Sequence, residues 1–142
     1  MVRSCSERND YAPLIEARDA SLVQPFRKLV VWQKGHALAL ELYQVSKTFP
    51  KDQLYGLRSQ IRRAASSICA NLAEGCCRQT RRHFARFVYI ALGSARELEY
   101  HLLMAADLGL LRHDQHVAFE RSVTEIKRML VGLVRRLMTE NR

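Results

Sequence analysis

The stretch FARFVYIALGSARELEYHLLMA, residues 84–105, decides the fold. Phe84, Val88, Ala91, Ala95, Leu98, Leu102 and Ala105 recur at alternating steps of four and three. That spacing puts all seven on one stripe of an α-helix, with charged residues between them. The same rhythm occurs three more times. Upstream it runs through Val31, Leu38, Leu42, Val45 and Phe49, with Gly35 filling one slot, and then through Leu57, Ile61, Ala64, Ile68 and Leu72. Downstream it runs through Phe119, Val123, Ile126, Leu130, Leu133 and Leu137. Four amphipathic helices are therefore predicted.

The residues between these segments agree. The three prolines stand at 13, 25 and 50, so the last 92 residues are free of the strongest helix breaker. Pro50 is expected to end the first helix and Gly75 to serve as the C′ residue of the second. Thr80 is expected to cap the third, Asp107-Leu108-Gly109 to end it, and Asp114 to cap the fourth. Short connections make neighbours antiparallel. The expected fold is all-α, an antiparallel up-down-up-down four-helix bundle over residues 26–142. Residues 1–25 carry Pro13, Pro25 and mixed charges, and read as a tail or a short docking arm.

A chain of 142 residues is one domain by length, and 48% apolar content sets it apart from disordered chains. Its net charge of +9 and isoelectric point near 9.9 favour polyanions. Aromatic residues are few and scattered, so no base-stacking sheet is suggested. Cys76 and Cys77 are adjacent and, with Cys5 and Cys69, suit no disulfide framework. The opening MVRSCSERNDY has no apolar signal-peptide core, and no apolar run is long enough to span a bilayer. A cytoplasmic chain with reduced thiols is expected.

The charge is concentrated. Around QIRRAASSICANLAEGCCRQTRRHF, residues 60–84, the arginines Arg58, Arg62, Arg63, Arg78, Arg81, Arg82 and Arg86 face one acid, Glu74. The third helix opens with Thr80, Arg81, Arg82 and His83, where the positive end of the dipole favours acids. Free N–H groups beside guanidinium forks make an anion site. These seven arginines are the candidate phosphate contacts. Arg62 and Arg63 point to different sides of the second helix, and at least one of them is expected to pair with Glu97 or Glu99 inside the bundle. Arg135 and Arg136 suit a helix C-terminus and ask for no functional account.

A second apolar set on the third helix, Tyr89, Ile90, Tyr100 and Leu103, lies off the seam. It reads either as the far side of a wide single core or as an oligomer interface. The second helix is rich in small residues, Ala64, Ala65, Ser66, Ser67 and Ala70, which permit close helix approach. Catalytic and cofactor motifs are missing: no glycine-rich phosphate loop, no H-E-x-x-H, no G-x-S-x-G, and no paired C-x-x-C. No catalytic residue, metal or cofactor is expected. Cys69 reads as a small core residue, and the arginines near Cys76 and Cys77 are placed to lower a thiol pKa.

In order, WQK, YGL, QIRRAA, N-x-AEG, ALGS and EL-E resemble the S23-type bacterial bundle proteins, also called 23S ribosomal RNA intervening-sequence proteins. The accessory variability determinants of diversity-generating retroelements are similar in fold. The resemblance runs from about Phe26 to Leu137 and falls on Trp32, Tyr55, Gly56, Arg62, Arg63, Asn71, Glu74, Gly75, Gly93, Ser94, Glu97 and Glu99. Departures are Cys76-Cys77, where the family has an aromatic residue and a glycine, and His83, where it often has Glu. The resemblance implies a homopentameric ring with a basic surface or channel. Within the retroelement branch it implies binding to RNA or DNA and to a reverse transcriptase. Within the intervening-sequence branch the role is undefined. The expectation is a non-catalytic, basic, oligomeric nucleic-acid-binding accessory protein, foremost the reverse-transcriptase partner, with no membrane partner. The alternatives are the intervening-sequence type of protein and an interaction scaffold whose basic face docks an acidic protein.

Overall fold

The computed structural model describes residues 25–53 and 56–139, and among these residues four α-helices carry the fold. They are α1 (Val30–Ser46), α2 (Leu57–Cys76), α3 (Arg81–Asp107) and α4 (His113–Thr139). Single 3₁₀ turns at Phe26–Lys28 and Lys51–Gln53 lead into α1 and α2. There is no strand among the described residues. The tail assigned to residues 1–25 lies, Pro25 apart, outside the described residues, as does Tyr55.

Cross-links between helices show the antiparallel order. Arg62, early in α2, reaches Ser46 at the end of α1. Cys69, further along α2, donates to the Trp32 carbonyl near the start of α1. Lys34 of α1 pairs with Glu125 of α4 at 2.7 Å, and Lys127 of α4 pairs with Glu99 of α3. The seam positions meet in one core, where Leu42, Ile61, Ile68, Leu72, Val88, Leu98, Leu102, Val123, Ile126 and Leu130 are fully enclosed. Val45 is the exception among the predicted seam residues, being only half-buried. Ala64 and Ala65 on α2 and Ala91 and Ala95 on α3 are buried as well, and such small side chains let helices approach closely.

Three helix ends behave differently from the sequence expectation. First, α1 stops at Ser46, and Phe49 stays buried from a following turn rather than from the helix itself. Second, Gly75 is not a C′ residue. It lies inside α2, which runs on to Cys76, and a Cβ there would stand 2.8 Å from Phe84 Cδ2 and from Phe87 Cβ. Its missing side chain is what lets the end of α2 sit on the start of α3. Third, Asp114 does not cap α4. Arg112 precedes the helix, gives its carbonyl to the His116 N–H, and has its own N–H accepted by the Gln115 side chain at 3.0 Å. Asp114 sits in the first turn, where a hydrogen bond from Arg112 holds its carboxyl below the usual carboxylate range.

The other two ends follow the sequence. Thr80 Oγ1 accepts the His83 N–H at 3.1 Å. Gly109 takes the left-handed conformation, φ 76°, and lets Leu110 N–H close back on the Ala105 carbonyl.

Candidate functional site

The seven arginines do not form one cluster. Arg58, Arg62 and Arg63 stand in the first two turns of α2, and the 13 residues from Arg63 to Cys76 at ~1.5 Å each put them about 20 Å or more from the end where the other four lie. One basic stretch of sequence thus supplies two opposite ends of the bundle.

At one end the start of α3 lies beside the end of α2, the start of α1 and the end of α4. Arg78 is committed locally, at 3.0 Å from Glu74 and with its guanidinium 4.6 Å from the centre of the Phe87 ring. Arg81 is half-buried and already engaged. Arg82 and Arg86 are exposed, and neither has a carboxylate within 4.0 Å among the described residues. No acid stands in the first turn of α3. Arg27, Lys28, Arg135 and Arg136 are exposed at the same end. Among the described residues of this half the acids are Glu74 and, at its inner limit, Glu125, both already paired. The other end carries acids, among them Asp52, Asp107, Asp114 and Glu120, as well as cations such as Lys47, Lys51, Arg112 and Arg121, and Arg112 pairs with Asp114 at 3.1 Å. The positive charge of the chain therefore lies along the bundle axis toward the start of α3.

Sequence reading dismissed Arg135 and Arg136 because cations stabilise a helix C-terminus. That account holds locally, but the up-down order also places them beside the start of α3. The order alone carried this signal.

At the opposite end Arg62 is a structural clamp. Its Nε donates to Ser46 Oγ at 2.8 Å and its Nη2 to the Tyr43 carbonyl at 3.0 Å, with the guanidinium 4.5 Å from the Tyr43 ring centre. It caps the last turn of α1 from outside, where carbonyls lack helical partners. The expected partners, Glu97 and Glu99, are used elsewhere, on His101 and Lys127. Arg63 is exposed and Arg58 half-buried, again with no carboxylate within 4.0 Å among the described residues. With Tyr43 and Ser59 the three arginines line an open concavity of about 360 Å³.

The second apolar set of α3 is not part of the core. Tyr89 and Tyr100 are 58% and 57% exposed, and Ile90, Leu103, Met104 and Leu108 are also solvent-facing. Residues 82, 86, 89, 93, 96, 100 and 103 follow steps of three and four, so Arg82 and Arg86 head the same stripe that Tyr89 and Tyr100 continue.

Burial pushes the thiols of Cys69 and Cys76 up to about 11 and about 12. The arginines nearby do not lower them, and Cys77 is the exposed member of the adjacent pair. No group of three metal-ligating side chains occurs among the described residues. No described helix is long and apolar enough to cross a membrane.

A crystal structure of a protein of unknown function from the S23 ribosomal protein family of Bacteroides thetaiotaomicron has a similar fold, with a TM-score of 0.69. The two share 27% identity over 74% of this chain and 98% of that one. No curated protein matches the sequence. Residues 27–132, all four helices apart from the last turns of α4, match the family described as 23S rRNA-intervening sequence protein, and the chain belongs to that family.

Proposed function

We propose that the protein is a non-catalytic, cytoplasmic accessory factor that holds RNA or DNA by its phosphates through the basic end of the bundle. The observation that carries this reading is the pair Arg82 and Arg86, exposed and without acid partners among the described residues, in the first two turns of a 27-residue helix whose start is dipole-positive. Arg27, Lys28, Arg135 and Arg136 widen the same surface. Contacts of this kind position a strand without reading its sequence. Among family roles we assign the retroelement one, partner of a reverse transcriptase, whose accessory variability determinants are similar in fold to the proteins the motifs resemble. The basic end supplies what such a partner needs, a sequence-neutral grip on the template.

The test is a salt titration with RNA and DNA duplexes and single strands. Log affinity is expected to fall linearly with log salt, with a slope of ~0.7–0.9 per phosphate neutralised. Arg82→Gln with Arg86→Gln is expected to lower that slope by about 1.4–1.8 while leaving the helical content unchanged. An unchanged slope removes these residues from the contact. Binding to no polynucleotide at all favours the scaffold reading, with an acidic protein as the occupant.

We further propose that the apolar stripe of α3 is covered by neighbouring copies in a homopentameric ring, the arrangement implied by the family resemblance. Its support is the exposure of Tyr89, Ile90, Tyr100 and Leu103 on one helix of the free chain. A ring brings five copies of the basic end together and multiplies its field. Light scattering is expected to give a mass five times the 16.4 kDa chain, and Tyr100→Glu with Leu103→Glu is expected to give the monomer. A monomeric wild type ends this part of the reading.

A further inference from the structure

The concavity between the last turn of α1 and the first turns of α2 gathers three guanidinium groups and, among the described residues, no carboxylate, and we propose that it binds a phosphate monoester, the dianion carried at the 5′ end of a nucleic-acid strand or as free phosphate. As a phosphate site it stands without the function proposed above; as a site for a strand end it rests on that reading.

The site is partly built before any ligand arrives. Ser46 Oγ, the Tyr43 carbonyl and the Tyr43 ring fix the plane of the Arg62 guanidinium. An arginine has five N–H donors, and these two bonds leave the others for a ligand. A group already ordered by the fold loses little further freedom on binding. Arg58 and Arg63 line the same hollow from α2, and Ser59 adds a hydroxyl. All three α2 cations stand in the first two turns of the helix, whose first turn contains no acid. The dipole therefore adds to their field instead of opposing it from the ligand's side.

The chemistry favours a monoester over a diester. A terminal phosphate carries ~1.5–2 negative charges near neutral pH, which suits three cations at one place. A diester carries one, and its strand must continue on both sides. Guanidinium forks match paired phosphate oxygens, and a charged acceptor strengthens each bond. A hollow of about 360 Å³ takes a phosphate with part of the adjoining sugar. The hollow lies ~20 Å along α2 from the end of the bundle that carries Arg82 and Arg86, more than three helical turns, so variants at one end leave the other intact.

The experiment uses the full chain with inorganic phosphate at constant ionic strength, chloride being the control, followed by amide NMR. Phosphate is expected to shift the amides of residues 58–63 and of Tyr43. Arg58→Gln with Arg63→Gln is expected to weaken phosphate by about tenfold or more, since two charge-assisted donors are lost. Neither residue has an ion-pair partner among the described residues, so the variant is expected to keep its fold, which circular dichroism checks. The proposal is overturned if phosphate shifts no amides there, or if the α2 variant binds phosphate as the wild type does. A second arm compares one RNA sequence with a 5′ phosphate and with a 5′ hydroxyl. A preference for the phosphate end that disappears in the α2 variant supports the strand-end source. Equal binding of both strands overturns that source and leaves free phosphate as the ligand. Loss of all RNA binding with phosphate binding retained removes the proposed function and not the site.

Discussion

Gly75→Val lowers the melting temperature by roughly 6–10 °C, the shift that a net loss of about 2–3 kcal/mol produces in a domain of this size. The cause is space. An added Cβ would lie 2.8 Å from Phe84 Cδ2, 2.8 Å from Phe87 Cβ and 3.2 Å from Phe84 Cε2. A ring edge can swing aside, but Phe87 Cβ is tied to the α3 backbone, so the corner between α2 and α3 has to open. Overpacking of this kind costs ~1–3 kcal/mol, and a branched side chain belongs at the upper end. A gain of up to about 1 kcal/mol from removing a glycine inside a helix opposes it and does not reverse the sign. Gly75→Ala should therefore fall between wild type and Gly75→Val. Gly132 is the control: it lies within α4, exposed, with nothing within 4 Å of an added Cβ. Gly132→Ala should stabilise by up to about 1 kcal/mol. Urea or thermal unfolding reads all three. A Gly75→Val protein as stable as wild type would show that the corner relaxes freely. The same corner aims the start of α3, so the valine variant should also bind polynucleotide less well than its remaining fold predicts.

Gly75 also shows where sequence reading stops. A glycine after Glu74 near the end of an apolar pattern looks like a terminator, and nothing local separates that role from close packing. The deciding atoms belong to Phe84 and Phe87 on the next helix. The seam residues were legible because periodicity is local: 84, 88, 91, 95, 98, 102 and 105 are all buried. Gly109 was legible for the same reason, since a positive φ needs no distant partner. Arg62 was not. Its expected acids sit on α3, yet the start of α2 lies against the end of α1, and a serine with a carbonyl took the guanidinium. The basic cluster misled in a related way. Arginines in the first turns of a 20-residue helix and just beyond its last turn are at opposite ends of the molecule, while Arg82 and Arg136, far apart in sequence, share one.

The Arg62 clamp carries the other large expectation. Arg62→Ala leaves Ser46, only 1% exposed, and the Tyr43 carbonyl without their charged donor. Hydrogen bonds to a charged group contribute ~1.5–3 kcal/mol each when buried. Arg62 is only half-buried, so solvent screening brings the pair of bonds to about 2 kcal/mol in total. The stacking on Tyr43 adds ~0.5–1 kcal/mol at such a site. Removing a cation from a chain of charge +9 acts the other way by easing repulsion, but that term is spread over the whole surface and is screened by salt. Destabilisation should therefore persist at high salt, which separates the clamp from any long-range effect. Arg62→Lys should recover only part of the loss, because an ammonium lacks the planar fork that meets both oxygens and the ring together. A double-mutant cycle with Ser46→Ala should give a coupling of about 0.5–2 kcal/mol. Hydrogen exchange adds a local readout, with amides in the last turn of α1 opening faster in Arg62→Ala while those of α4 keep their relative protection. A zero coupling with unchanged unfolding would mean that the guanidinium is carried by solvent, and the pre-oriented floor of the α1–α2 concavity would go with it.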